Sequence, residues 1–268
     1  MARYFYIFFF AFALTSCSEY QKALKNDDMK LKYDVAEKQY EKGNYSKAIR
    51  LFEQIAPSYR GKPQAEKMFY MYSQSLYKTK QYYTAGYQFE SFTAGYPRSE
   101  KVEESAFLGA KSYYMLSPVY SLDQVDTYKA LDKLQLFVDN YPNSQYMAEA
   151  NALVKELRDK LDKKAFEIAK QYNTISEYNG DHNAAIKALD NFILDHPGTI
   201  YKEDALFYKF DSSYQLAMNS IWTKMGERLE QAKANYNALI KFSPGTKYKE
   251  QADKMLAKID TELQKFPK

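Results

Sequence analysis

The chain has 268 residues and a formal net charge of +4, with 38 basic and 34 acidic side chains interspersed and no basic tract of the kind that grips nucleic acid. That length suffices for one or two domains with a sizeable core. Nine glycines against abundant Lys, Glu, Gln, Ala and Leu argue for helices, while 27 tyrosines and 17 phenylalanines suit half-buried faces and binding surfaces.

Met1-Ala2-Arg3 precedes an uncharged run from Tyr4 to Leu14, too short to span a bilayer, and then Thr15-Ser16-Cys17. A basic start, a short apolar run and small residues before the cut read as an export signal over 1–16. Cys17 is the only cysteine, so it cannot form an intrachain disulfide. Leu14-Thr15-Ser16-Cys17 resembles the lipobox of bacterial lipoproteins, which implies that Cys17 is acylated and becomes the first residue of a chain anchored to a membrane surface. Residues 17–28 are rich in hydroxyl and acidic side chains and are expected to form a flexible tether. No second apolar run approaches membrane-spanning length.

From there an internal repeat organises the chain. Ala48, Ala85, Ala130, Ala185 and Ala232 are followed four residues later by Phe52, Phe89, Leu134, Leu189 and Tyr236, and seven later by Ile55, Phe92, Phe137, Phe192 and Leu239. These spacings lay the side chains along one stripe of a helix. Eleven residues after each alanine stand Tyr59, Tyr96, Tyr141, His196 and Ser243, followed by Arg60, Pro97, Pro142, Pro197 and Pro244. Proline stops a helix, and Ser99, Ser144, Thr199 and Thr246 two residues on are expected to cap the next one. Gly43 and Gly180 mark tight turns between paired helices.

A small residue, a large apolar residue and a proline at helical spacing resemble the tetratricopeptide repeat. The fold class is therefore all-α, a superhelical array of about five helix-turn-helix repeats, with repeats 1–3 over 29–145 and repeats 4–5 over 146–268. Later anchor spacings of 45, 55 and 47 exceed the usual period of about 34 residues. The excess lies in an extended turn at Ser117–Thr127 and in Met147–Tyr178, which reads as one long helix or two. Its apolar stripe is Leu153, Leu157, Leu161, Ala165, Ile168 and Tyr172.

Catalytic constellations are missing from the sequence, and an enzyme is not expected. His182 and His196 fall at helix boundaries within the repeat pattern, where a structural role is the simpler reading, and no metal or other cofactor is expected. Binding is the better prospect. At a shift of 37 residues Lys30, Tyr33 and Tyr40 match Lys67, Tyr70 and Tyr77. These residues, with Gln74 and Lys78, occupy an arc beside the inward face of Phe69, Tyr72 and Leu76. They form the candidate groove for a substrate peptide, lysine beside tyrosine suiting an aromatic side chain and a terminal carboxylate. Packing between hairpins is the other reading of the same tyrosines. Lys187 and Lys209, beside apolar residues in the C-terminal half, suit the rim of a partner interface.

The lipobox, Gly43-Asn44-Tyr45 before Ala48-Ile49, and Tyr141-Pro142-Asn143-Ser144-Gln145-Tyr146 together resemble the BamD family of the outer-membrane β-barrel assembly machinery. The resemblance implies a lipoprotein of the outer membrane facing the periplasm. Its N-terminal repeats would meet unfolded β-barrel proteins through an aromatic C-terminal signal. Its C-terminal repeats would dock the periplasmic domains of the BamA-type insertase, alongside other assembly-machinery subunits. The family's docking basic residue falls at Ala188, with Lys187 beside it. Two other readings stay open: an adaptor of envelope constriction and cell division, and a glycan-capturing uptake lipoprotein, although the latter carries exposed tryptophans and Trp222 is the single one here.

Overall fold

A computed structural model describes residues 19–266, so the export segment and Cys17 lie outside the described residues. Among these residues the regular elements are α-helices. Five hairpins follow in order: α1 (Met29–Glu41) with α2 (Tyr45–Tyr59), α3 (Ala65–Lys78) with α4 (Tyr82–Gly95), α5 (Val102–Tyr114) with α6 (Val125–Asn140), α7 (Met147–Asn179) with α8 (His182–Asp195), and α9 (Lys202–Met218) with α10 (Trp222–Phe242). The helix α11 (Lys249–Leu263) packs after the fifth. First helices of neighbouring hairpins also touch, α1 on α3, α3 on α5 and α9 on α11, which is the stacking of a tetratricopeptide-like array.

The repeat stripe forms the core. Ala48, Ala85, Ala130, Ala185 and Ala232 are fully buried, as are Phe52, Phe89, Leu134 and Leu189. Only a methyl group fits where two helices approach this closely, whereas the larger residue one turn on fills the gap beside it. Gly43 and Gly180 both take φ of 73°, the left-handed conformation expected between paired helices. At the matching place in the second hairpin Lys80 takes φ of 62°, a strained position for a side chain with a Cβ.

Two compact units divide the described residues, one comprising 19–118 and Asp123–Leu157, the other Val119–Leu122 and 158–266. The division falls inside α7, past the 145/146 boundary expected from the repeats. α7 is a single helix of 33 residues. In the first unit its Ala150 and Leu157 pack with Phe107, Leu134 and Phe137. In the second, Phe166 and Ala169 pack with Leu189, Phe192 and Ala205.

Three expectations need correction. Residues 19–25 are helical, and Tyr20 and Ala23 are buried in the core of the first hairpins, so this part of 17–28 is packed chain. The hydroxyls of Ser99, Ser144, Thr199 and Thr246 accept the backbone N–H two residues on, before the helix begins, instead of capping it. The buried line in the C-terminal half of α7 is Phe166, Ala169, Asn173 and Ser176, which leaves Ile168 and Tyr172 exposed.

Candidate functional site

The first unit holds a cleft of about 460 Å³ lined by Tyr40 and Glu41 of α1, Pro63, Glu66, Lys67, Tyr70 and Met71 at the start of α3, Phe92 of α4, and Lys101. It lies along the first helices of the hairpins because Tyr40 and Tyr70 sit one helical step off the buried stripe, with the ring edge left open. Tyr70 leans on Phe92 with ring centroids 5.9 Å apart, and the Lys101 ammonium lies 5.4 Å from the Tyr70 ring centroid. Lys101 also pairs with Glu104 at 3.2 Å, and Lys67 pairs with Glu37.

A buried polar layer fixes Tyr70. Gln74 donates to the Tyr70 hydroxyl at 3.0 Å and to Glu104 Oε1 at 3.2 Å. Burial, and then the hydrogen bond to Glu104, push the Tyr70 phenol far above its ordinary value, so it stays neutral. The Lys67 ammonium is held above its ordinary value by its hydrogen bond to Glu37 and stays charged. The cleft thus offers aromatic walls, two cations on its rim and two carboxylates, Glu41 and Glu66.

The structure divides the residues expected to form the groove. Tyr40, Lys67 and Tyr70 come together there. Tyr33 is 8% exposed and stacks on Tyr59 with centroids 5.3 Å apart, which makes it core. Gln74 is buried and supports the cleft from behind. Tyr77 packs against Tyr82 and Phe89 inside the second hairpin. Lys30 and Lys78 are exposed at the two ends of their helices and do not line the cleft. Phe92 and Lys101 were missed: Phe92 reads as a core position of the repeat, and Lys101 lies outside the two matched hairpins.

In the second unit Lys187 is exposed, whereas Lys209 is paired with Asp190 at 2.5 Å and has only 19% of its side chain open. Lys209 therefore closes α9 onto α8 and is not a free rim lysine. A different feature stands out. Ile168, Tyr172, Ile175 and Tyr178 are 51%, 47%, 46% and 87% exposed and follow one another at helical spacing on α7. Both histidines have structural partners. His182 Nδ1 meets Ser176 Oγ at 2.8 Å, and His196 Nδ1 meets Asp162 Oδ1 at 2.7 Å. Trp222 stacks on Phe266 with centroids 4.2 Å apart. No helix among the described residues is long and apolar enough to cross a membrane.

Residues 25–225 match the model of the YfiO family, described as outer membrane lipoprotein. Among curated proteins, the outer membrane protein assembly factor BamD of Caulobacter vibrioides is 24% identical over 228 residues, 85% of this chain and 70% of that one. A putative outer membrane protein assembly factor BamD of Aquifex aeolicus is 27% identical over 230 residues, 82% of this chain and 72% of that one. The BamD of Pasteurella multocida is 23% identical over 240 residues, 86% of this chain and 90% of that one. With the family match running from the segment before α1 into α10, this chain belongs to the YfiO family of outer membrane lipoproteins.

Proposed function

We propose that this chain is a lipid-anchored adaptor of the β-barrel assembly machinery, acylated at Cys17, facing the periplasm and acting without catalysis. Its first unit receives the C-terminal segment of an unfolded outer-membrane protein, and its second docks the periplasmic domains of the insertase. The relatives named as assembly factors support the role. The observation that carries the substrate half is the Tyr40–Tyr70–Phe92 cleft with Lys67 and Lys101 at its rim. An aromatic side chain entering it would pack on rings already fixed by the layer behind them, so little ordering entropy is lost on binding. A terminal carboxylate would meet Lys101 or Lys67, whose own side chains are 52% and 63% exposed, so that their present ion pairs are cheap to exchange. In the second unit the ridge Ile168, Tyr172, Ile175 and Tyr178 is the apolar centre such an interface needs, with exposed Lys187 as a polar contact.

A photo-crosslinking residue at Glu41, on the cleft rim, tests the substrate half in cells. The expected adducts are unfolded outer-membrane proteins. Adducts formed only from positions on the α7 ridge would remove the cleft from the account.

A further inference from the structure

The segment 19–25 fixes more than its own packing. Tyr20 is buried, Glu19 pairs with Lys38 at 2.7 Å, and the Lys47 ammonium lies 5.4 Å from the Tyr20 ring centroid. The chain therefore enters the first unit beside the end of α1 and the start of α2, at the turn 42–44. Cys17 stands three positions before Tyr20, and an extended chain covers at most about 3.6 Å per position, which bounds the distance from an acylated Cys17 to Tyr20 at about 11 Å. A packed entry this close to the lipid attachment leaves one edge of the first unit at the membrane surface.

That edge carries lysines. Lys22, Lys42, Lys47, Lys78 and Lys80 are all exposed. Lys22 lies on the outward side of segment 19–25, opposite Tyr20 and Ala23. Lys42 and Lys47 flank the first hairpin turn, and Lys78 and Lys80 flank the second. Because α1 and α3 pack side by side and successive helices reverse direction, both turns fall at one edge of the unit. Glu19 at this edge is taken up by Lys38, and Glu41 faces the cleft. No acidic residue stands between Lys78 and Tyr82. Lys30 and Lys62 lie at the opposite edge, about 20 Å away by the rise of one 13-residue helix.

We infer that the hairpin-turn edge of the first unit rests on anionic phospholipid headgroups through Lys22, Lys42, Lys47, Lys78 and Lys80, so that the lipoprotein is oriented on the membrane and not merely tethered to it. This rests on the reading that Cys17 is acylated. An acyl anchor supplies the affinity. The lysines supply the orientation, since each cation held within a Debye length of an anionic surface shifts such an equilibrium by about fivefold. The cleft reaches Tyr40 and Glu41 at the end of α1, so the orientation holds it at a fixed height above the headgroups.

The test uses the full mature acylated chain in vesicles of phosphatidylglycerol with phosphatidylcholine, in vesicles of phosphatidylcholine alone, and in detergent. Amine-reactive labelling is read lysine by lysine by mass spectrometry. The expected result is several-fold protection of these five lysines on the anionic vesicles only, lost in about 1 M salt where the Debye length shrinks to about 3 Å, while Lys30 and Lys62 label alike throughout. K42E/K78E should keep its acyl chains and remain on the vesicles yet lose protection at Lys22, Lys47 and Lys80. Equal labelling of the five lysines in vesicles and detergent overturns the orientation while leaving the anchor intact. A mature chain whose mass shows no acyl groups overturns the anchor, and the orientation with it.

Discussion

The hydroxyl of Ser144 donates a 2.6 Å hydrogen bond to Oε1 of Glu103, 41 residues earlier. Ser99 does the same to Glu66 and Thr246 to Glu203, each at 2.6 Å. Every one of these bonds ties the turn after a hairpin's second helix to the first turn of its first helix. In the fourth hairpin the contact of His196 with Asp162 links the turn after α8 to α7. In the second, third and fifth hairpins the Pro-x-Ser/Thr element is thus a latch, its hydroxyl serving a carboxylate as well as the backbone before the following helix.

Removing a latch has a defined cost. Ser144→Ala leaves Glu103 without this donor, and a hydrogen bond to a charged group is worth about 1.5–3 kcal/mol. Chemical denaturation of the variant should show that loss. An unchanged midpoint would mean that the latch is incidental.

The latch on Glu203 also has a pH signature. The Thr246 hydroxyl, followed by the Lys247 backbone N–H, holds the Glu203 carboxyl below its ordinary value despite some desolvation. A folded-state pKa depressed in this way adds stability above the unfolded carboxylate value, and the contribution disappears as pH falls through the folded value. Thr246→Val should therefore raise the Glu203 pKa in an NMR titration. Its destabilisation should be full at neutral pH and vanish in acid below both values.

Lys80 occupies the left-handed position that Gly43 and Gly180 hold in other hairpins. Lys80→Gly should stabilise the protein by about 1 kcal/mol in thermal denaturation, because the Cβ penalty disappears. Gly43→Ala should cost a similar amount, and for backbone reasons alone, since nothing lies within 4 Å of the added methyl. Opposite signs for the two substitutions are the check.

How much of this was legible in the sequence follows from what each signal measures. The stripe from Ala48 to Leu239 was readable because helical spacing and burial coincide there. Tyr33 and Tyr70 hold the same repeat position, yet Tyr59 stacks on one ring while the other stays open at a cleft. A partner on another helix decides between them, and single-helix periodicity carries no trace of it. In the C-terminal half of α7 the more apolar line, Ile168, Tyr172 and Ile175, is the exposed one, while the buried line runs from Phe166, packed on Phe192, through Asn173 and Ser176. Segment 19–25 was missed because Tyr20 and Ala23 are too few to give a period against a polar background.

Variants should separate packing from binding at the cleft. Tyr77→Ala removes a ring wedged against Tyr82 and Phe89, so a stability loss of about 2–4 kcal/mol is expected. Lys67→Ala with Lys101→Ala breaks two ion pairs of exposed lysines and the contact of Lys101 with the Tyr70 ring, and should cost no more than about 1 kcal/mol per site.

On α7, Tyr172→Glu with Ile175→Glu places charge in the exposed ridge without entering the core. Denaturation should be unchanged within about 0.5 kcal/mol per site, while capture of the insertase's soluble periplasmic domains by the full chain should be lost. Undiminished capture would move the docking surface elsewhere.

The central claim is that the Tyr40–Tyr70–Phe92 cleft takes an aromatic, carboxylate-terminated segment of an unfolded outer-membrane protein. Its most direct test is a fluorescence-anisotropy titration of the full chain with a labelled synthetic peptide copying the C-terminus of an outer-membrane barrel. An amidated peptide and the K67A/K101A variant provide the comparisons. The account predicts saturable binding by the free-carboxylate peptide, weakened at least tenfold both by amidation and by removal of the two lysines, with about 1.4 kcal/mol corresponding to each factor of ten. Equal affinity across all three titrations would contradict it.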